Sequence, residues 1–255
     1  MTRRRGRALL AAALGLSLGG ADAPRDRRSG FEDMAPETRA MQQDETANPG
    51  MLWVAEGEAL WQRPEGGAGR SCAGCHGAAE TAMRGVAARY PAWDATLGQP
   101  LSLEGRINAC RQNEQEATAL APESEELLAL FAYVAHQSRG MPITPSADSR
   151  LVPFREEGRR LFGERRGQLN LSCAQCHDGH AGQRLAGSVI PQGHPTGYPL
   201  YRLEWQSLGS LRRRLRNCTT GVRSEPVGEQ EALALELFLM SRAEGMVLET
   251  PAVRP

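Results

Sequence analysis

The sequence predicts an all-α protein built from two tandem domains that are copies of one another. Three observations predict it. The pentapeptide Cys-x-x-Cys-His occurs twice, as Cys72-Ala73-Gly74-Cys75-His76 and Cys173-Ala174-Gln175-Cys176-His177. A helical segment precedes each copy, Glu56-Gly57-Glu58-Ala59-Leu60-Trp61 in the first half and Glu157-Gly158-Arg159-Arg160-Leu161-Phe162 in the second. After each copy comes one further cysteine, Cys110 or Cys218, and then an apolar stripe at helical spacing.

The pentapeptide carries a specific chemistry. Two thiols two residues apart can add to the two haem vinyl groups, and the adjoining histidine can ligate the iron. Zinc is the competing use of paired Cys-x-x-Cys motifs. Here the two pairs stand much farther apart than the roughly 15–20 residues of common zinc ribbons, and a histidine directly follows each. Two covalently bound haem c groups are therefore expected. Cys72, Cys75, Cys173 and Cys176 would hold them, and His76 and His177 would be axial ligands. The fold class is thus two tandem cytochrome c-type haem domains related by internal duplication. Aromatics are 5% and the mean hydropathy is −0.45, so the protein core is thin and a porphyrin in each half would thicken it.

The length of 255 residues suits two domains of roughly 100 residues each. A formal net charge of +0 gives no field that would draw nucleic acid or an anionic membrane surface. There is no lysine, so every fixed cationic side chain is a planar guanidinium that stays charged.

In chain order, residues 1–23 read as a cleavable secretory signal. Arg3, Arg4, Arg5 and Arg7 form a basic start, Leu9 to Leu18 a short apolar core, and Ala21-Asp22-Ala23 a cleavage site. That core is too short to cross a bilayer, and no later stretch is long enough. A protein exported to the periplasm, with no span in its mature form, is expected. Residues 24–50 are polar and lack a period, which predicts a flexible N-terminal segment with at most a short helix. Residues 51–145 form the first domain. Residues 146–255 form the second, with the active site. Pro142 to Pro153 link the two.

The second axial ligand is commonly methionine in small cytochromes. Met141 and Met246 occupy matching places but lie past the last helix of each half, and Met83 has no counterpart. Cys110 and Cys218 match and stand in the loop region before that helix, where a distal ligand belongs. The competing reading is a Cys110–Cys218 disulfide, which needs Cα atoms within about 7 Å. Ligation to two separate haems argues against it.

Arg212, Arg213, Arg214 and Arg216 precede Cys218. On a helix, Arg214 shares a face with Cys218, where it favours thiolate and can receive a small dianion. The other three read as a solvated face. Arg106 stands at the same offset from Cys110, so Arg214 alone is not diagnostic. His180 and His194 read as loop residues.

The stretch Gly193-His194-Pro195-Thr196-Gly197-Tyr198-Pro199-Leu200-Tyr201-Arg202-Leu203-Glu204-Trp205-Gln206, running into Gly209-Ser210-Leu211 and Cys218 and on to Val222-Arg223-Ser224-Glu225-Pro226, resembles SoxA. SoxA is the di-haem subunit of the SoxAX cytochrome of bacterial thiosulfate oxidation. The resemblance implies an enzyme, an L-cysteine S-thiosulfotransferase. It implies a mono-haem partner, SoxX, and a carrier protein, SoxYZ, whose cysteine is joined oxidatively to thiosulfate. The two electrons pass to cytochrome haem and on to a downstream cytochrome c acceptor. It further implies that Cys218 is the active-site cysteine, found as a persulfide in this family, and ligates the second haem with His177. Arg214 would bind substrate, and His76 and Cys110 would ligate the first haem. The alternative is a periplasmic di-haem electron carrier without bond-making chemistry, which would need neither Cys218 nor a carrier protein.

Overall fold

The computed structural model describes residues 27–255. The signal segment expected over residues 1–23 lies outside the described residues. Helix α1 (Pro36–Gln43) leads into α2 (Met51–Gln62), α3 (Cys72–His76) and α4 (Ala79–Ala82). A hairpin of β1 (Ala92–Asp94) and β2 (Gln99–Leu101) precedes α5 (Leu103–Glu114) and α6 (Glu125–His136). The second half repeats the order with α7 (Val152–Gly163), α8 (Cys173–His177) and a small hairpin of β3 (Arg184–Leu185) and β4 (Ser188–Val189). Then come the hairpin of β5 (Leu200–Arg202) and β6 (Ser207–Gly209), α9 (Leu211–Gly221), α10 (Glu229–Arg242) and β7 (Ala252–Arg254). The fold is mostly helical, as expected. The short hairpins were not expected, because each strand is only two or three residues long and presents no alternating run.

Each half is built on one helix crossing, α2 on α6 and α7 on α10. The apolar stripe explains the second helix of each pair. In α6, residues from Leu127 to Ala135 are buried, with Ser124 Oγ accepting the Leu127 N–H at the start. Glycine explains the closeness. A Cβ on Gly57 would stand 2.1 Å from the Ala129 carbonyl oxygen, and one on Gly158 1.9 Å from that of Ala234.

The halves share a core in which Leu103, Phe131 and Ile143 meet Leu208, Met240 and Leu248. Residues 140–143 also pair with 245–248, through Gly140 N–H to the Leu248 carbonyl at 2.9 Å and Ile143 N–H to that of Met246 at 2.8 Å. These are the same segment of each repeat, so the seam runs through matching helix exits. Met141 and Met246 belong to this seam.

The flexible segment expected over residues 24–50 is instead docked from Arg27 onward. Arg27 donates to the carbonyls of Arg242 (3.1 Å) and Glu244 (2.8 Å). The buried Gln42 accepts the Val253 N–H at 3.1 Å and a guanidinium N–H of Arg254, completing β7, whose other neighbour is β5. Asn48 donates to the Pro251 carbonyl at 2.9 Å and accepts from Gly50 N–H at 2.9 Å. Polar anchors of this kind leave no hydrophobic period to read. Asn48→Ala is expected to cost about 1–2 kcal/mol by orphaning buried groups. Thermal unfolding should show a fall of a few degrees, at about 2–4 °C per kcal/mol for a chain of this size.

Candidate haem sites and the reactive cysteine

Each pentapeptide forms a single helical turn with a serine cap. Ser71 Oγ accepts the Gly74 N–H at 2.9 Å. Ser172 Oγ accepts the Gln175 N–H at 3.2 Å, and Gln175 Oε1 returns a bond to the Ser172 N–H at 2.9 Å. Both thiols and the histidine of each motif lie within this one five-residue helix. Trp61 lies 5.7 Å from the His76 ring and Phe162 6.5 Å from the His177 ring, at matching positions of the preceding helices.

The distal cysteines lie on helices rather than in the expected loop region. Ser102 caps α5 and Ser210 caps α9, each through its hydroxyl, and Cys110 and Cys218 stand at the same distance along these helices. A hairpin before each pentapeptide presses on the end of its distal helix. Its glycine, Gly66 (φ 67) or Gly167 (φ 68), admits no Cβ, which would stand 2.0 Å from the Gln115 carbonyl oxygen or 2.1 Å from that of Val222. The proximal turn and distal helix of each half are thereby held together. No disulfide joins Cys110 to Cys218. Cys218 instead shares a hydrogen bond with His177. The Nδ1 of His177 lies 2.7 Å from the Pro191 carbonyl, to which it donates, leaving Nε2 for the distal side. Among the described residues, no three His, Cys, Asp or Glu side chains converge as a bare metal site requires. Paired thiols on one turn, a histidine with one nitrogen engaged, and a cysteine facing it suit a covalently held haem.

The two distal thiols differ electrostatically. Burial pushes the Cys110 thiol up, and Glu114 and Asp94 work against the relief from Arg106. Burial pushes Cys218 up as well, but the His177 hydrogen bond and the charges of Arg214, His177 and Arg202 outweigh it, and the thiol is held below its ordinary value.

The surrounding arginines separate on inspection. Arg106 is paired with Asp94 at 2.5 Å. Arg214, at the matching place, has no carboxylate partner among the described residues. The other three do not form one solvated face. Arg212 is half-buried, pairs with Glu229, and lines a cleft between the halves with Glu104 and Glu236. Arg213 lies 4.2 Å over the Trp205 ring and donates to Ser207 Oγ at 3.1 Å. Arg216 is half-buried. His180 is exposed. His194 is pushed down to about 4, by burial and then by Arg242 and Arg27, and bonds Gln192 at 3.2 Å, so it stays neutral at neutral pH. Met83 packs against the shared core.

Two contributors escaped the sequence. One is the Pro191 carbonyl on His177. The other is Glu123 of the first half, which accepts from the Ser210 N–H at 3.3 Å and from its hydroxyl. An acid at the start of α9 complements the helix dipole and ties the Cys218 helix to the other domain. No local pattern marks either group.

Known proteins resemble the chain throughout. The family described as SoxA/TsdA, cytochrome c domain, matches residues 56–143 and again 157–248. The L-cysteine S-thiosulfotransferase subunit SoxA of Pseudaminobacter salicylatoxidans is 39% identical over 229 residues, covering 89% of this chain and 80% of that protein. The same subunit from Rhodovulum sulfidophilum is 38% identical over 229 residues, again covering 89% of this chain and 80% of that protein. The crystal structure of SoxXA from P. pantotrophus superposes with a TM-score of 0.86 at 31% identity, covering 90% of this chain and 87% of the other. With two cytochrome c domains in tandem and this degree of likeness over most of its length, the chain belongs to the SoxA family.

Proposed function

We propose that this chain is the catalytic subunit that joins thiosulfate oxidatively to a cysteine of a SoxYZ-type sulfur carrier, in complex with a SoxX-type cytochrome and in the periplasm. The observation that carries the reading is the pairing of Cys218 with His177 beside Arg214, a guanidinium free of any described carboxylate. The names of the relatives, S-thiosulfotransferase subunits, support the same chemistry. Among the described residues no helix is long and apolar enough to cross a membrane.

Two haem c groups would be held, one by Cys72, Cys75, His76 and Cys110, the other by Cys173, Cys176, His177 and Cys218. Haem c, when bound, supplies an iron centre that takes up electrons singly. The thiolate sulfur of Cys218 would form a bond to the outer sulfur of thiosulfate, the sulfur pair giving up two electrons to external cytochrome acceptors. The product on the protein is a cysteine S-thiosulfonate. A carrier thiolate then attacks the sulfur next to Cys218, takes the thiosulfonate, and returns Cys218 as thiolate. A persulfide at Cys218 would react in the same sense. Arg214 receives the sulfonate end and offsets its charge. Pro191 keeps the His177 ring oriented throughout.

The test is to mix the haem-loaded protein, its partner cytochrome, the carrier and thiosulfate, and to weigh the carrier. A gain of one thiosulfonate on the carrier cysteine is expected, with two irons per chain and paramagnetic resonance signals of low-spin thiolate-ligated haem. An unmodified carrier with thiosulfate oxidised to its soluble dimer would overturn the reading.

A further inference from the structure

The duplication provides an internal comparison for the cysteine pocket. The hairpin before each distal helix has the same register in both halves: Ala92 opposite Leu101 and Asp94 opposite Gln99, against Leu200 opposite Gly209 and Arg202 opposite Ser207. Each hairpin turns through a residue with positive φ, Gly98 or Gln206, and each runs into the serine that caps the distal helix. Position 94 of the first half therefore corresponds to 202 of the second, as 106 corresponds to 214 and 110 to 218.

At the first position the two halves carry opposite charges. Asp94 does two things: its carboxylate accepts the Thr96 and Leu97 N–H groups at 2.9 and 2.8 Å, bracing the turn, and it pairs with Arg106 at 2.5 Å. Arg202 can do neither. It has no acceptor for the turn, where its backbone carbonyl takes the Trp205 and Gln206 N–H groups instead. The hairpin geometry that aims residue 94 at residue 106 aims Arg202 at Arg214. Two guanidiniums thus converge where the first half has a neutral pair. Burial, and then the charge of Arg214, make Arg202 easier to deprotonate than a free arginine, as expected of like charges held together. Its Nε is buried with no hydrogen-bond partner. Its one ion pair among the described residues, to Glu204 at 3.0 Å, involves a largely exposed carboxylate and is a weak competitor. Trp205, 5.3 Å away, supports the guanidinium from the side. A residue that gives up a turn brace, repels its neighbour and leaves a donor unpaired breaks local rules without structural gain, which marks a functional position.

We infer that Arg202 is a second anion-binding group of the Cys218 site and, with Arg214, receives the sulfonate end of thiosulfate. This rests on the proposed function for the identity of the anion. Two guanidiniums match a dianion in charge, and the three sulfonate oxygens offer acceptors to both forks while the outer sulfur is left to Cys218.

The test uses the haem-loaded protein in complex with its partner cytochrome, as wild type, Arg202→Gln and Arg202→Lys. In carrier-coupling assays Arg202→Gln should raise KM for thiosulfate about tenfold or more with kcat little changed, because a charge-assisted contact is lost from bound substrate. Arg202→Lys keeps the stem and charge, guards against a folding defect, and should give an intermediate KM. Equilibrium dialysis of radiolabelled thiosulfate against the oxidised complex, without carrier, gives a reading that does not depend on turnover. Weaker binding by Arg202→Gln supports the inference even if the wild type forms no carrier conjugate, a result that would sink the proposed function instead. Equal binding and equal KM would overturn the inference. So would a shifted haem potential or lost haem with unchanged thiosulfate binding, which would assign Arg202 to a haem propionate.

Discussion

Cys218→Ala is expected to abolish coupling of thiosulfate to the carrier cysteine, by about 10³-fold or more, while both haems stay attached. The size follows from the role: loss of a covalent nucleophile removes a step rather than weakening one. Haem retention is expected because the proposed covalent links are made by Cys173 and Cys176, not Cys218. The matched variant Cys110→Ala should leave coupling largely intact, since Asp94 neutralises the arginine beside it. Carrier mass after a timed incubation, together with haem content, reads both. A Cys218→Ala protein that retains both haems and modifies the carrier at the wild-type rate would remove Cys218 from the chemistry and favour a simple electron carrier.

Gly158→Ala should destabilise the second domain by about 3 kcal/mol, and Gly158→Val by more. Alanine is ordinarily the better helix former by about 1 kcal/mol, so the sign is opposite to intrinsic propensity. The reason is the crossing of α7 on α10. A Cβ at 158 would meet the Ala234 carbonyl oxygen at 1.9 Å and the Phe238 Cβ at 2.8 Å, so only separation of the helices makes room. That separation loosens Phe162, which packs between Phe238 (5.3 Å) and His177 (6.5 Å), and so reaches the haem pocket. Thermal unfolding of the haem-loaded protein by far-ultraviolet circular dichroism should show a fall of about 6–12 °C for Gly158→Ala. Gly163→Ala, on the same helix with nothing within 4 Å of its added Cβ, should not lower the midpoint. Equal midpoints for the two alanine variants would contradict the close crossing.

The contiguous features of the site were open to reading in the sequence. A pentapeptide whose residues act within one turn declares its chemistry locally, and the repeat assigned Cys110 and Cys218 to equivalent places. The helices announced themselves because an apolar stripe is a periodic signal. The hairpins were too short for such a signal, and the docking of residues 27–50 depends on single polar anchors such as Gln42 and Asn48.

The charge state of the two pockets was harder to read. Arg106 and Arg214 look alike along the chain, and the acid that quenches one of them stands across a hairpin. Arg212, Arg213 and Arg216 look like one cationic face until Trp205 and Glu229 divide them. Glu123, which caps the Cys218 helix, comes from the other domain. By itself, then, the sequence determined a duplicated cytochrome c-type protein with a further cysteine at a matching place in each half. Only the tertiary structure decided which cysteine lies beside an arginine without a carboxylate partner among the described residues, because Coulomb and hydrogen-bond energies depend on distance in space, and the groups that set them are far apart along the chain.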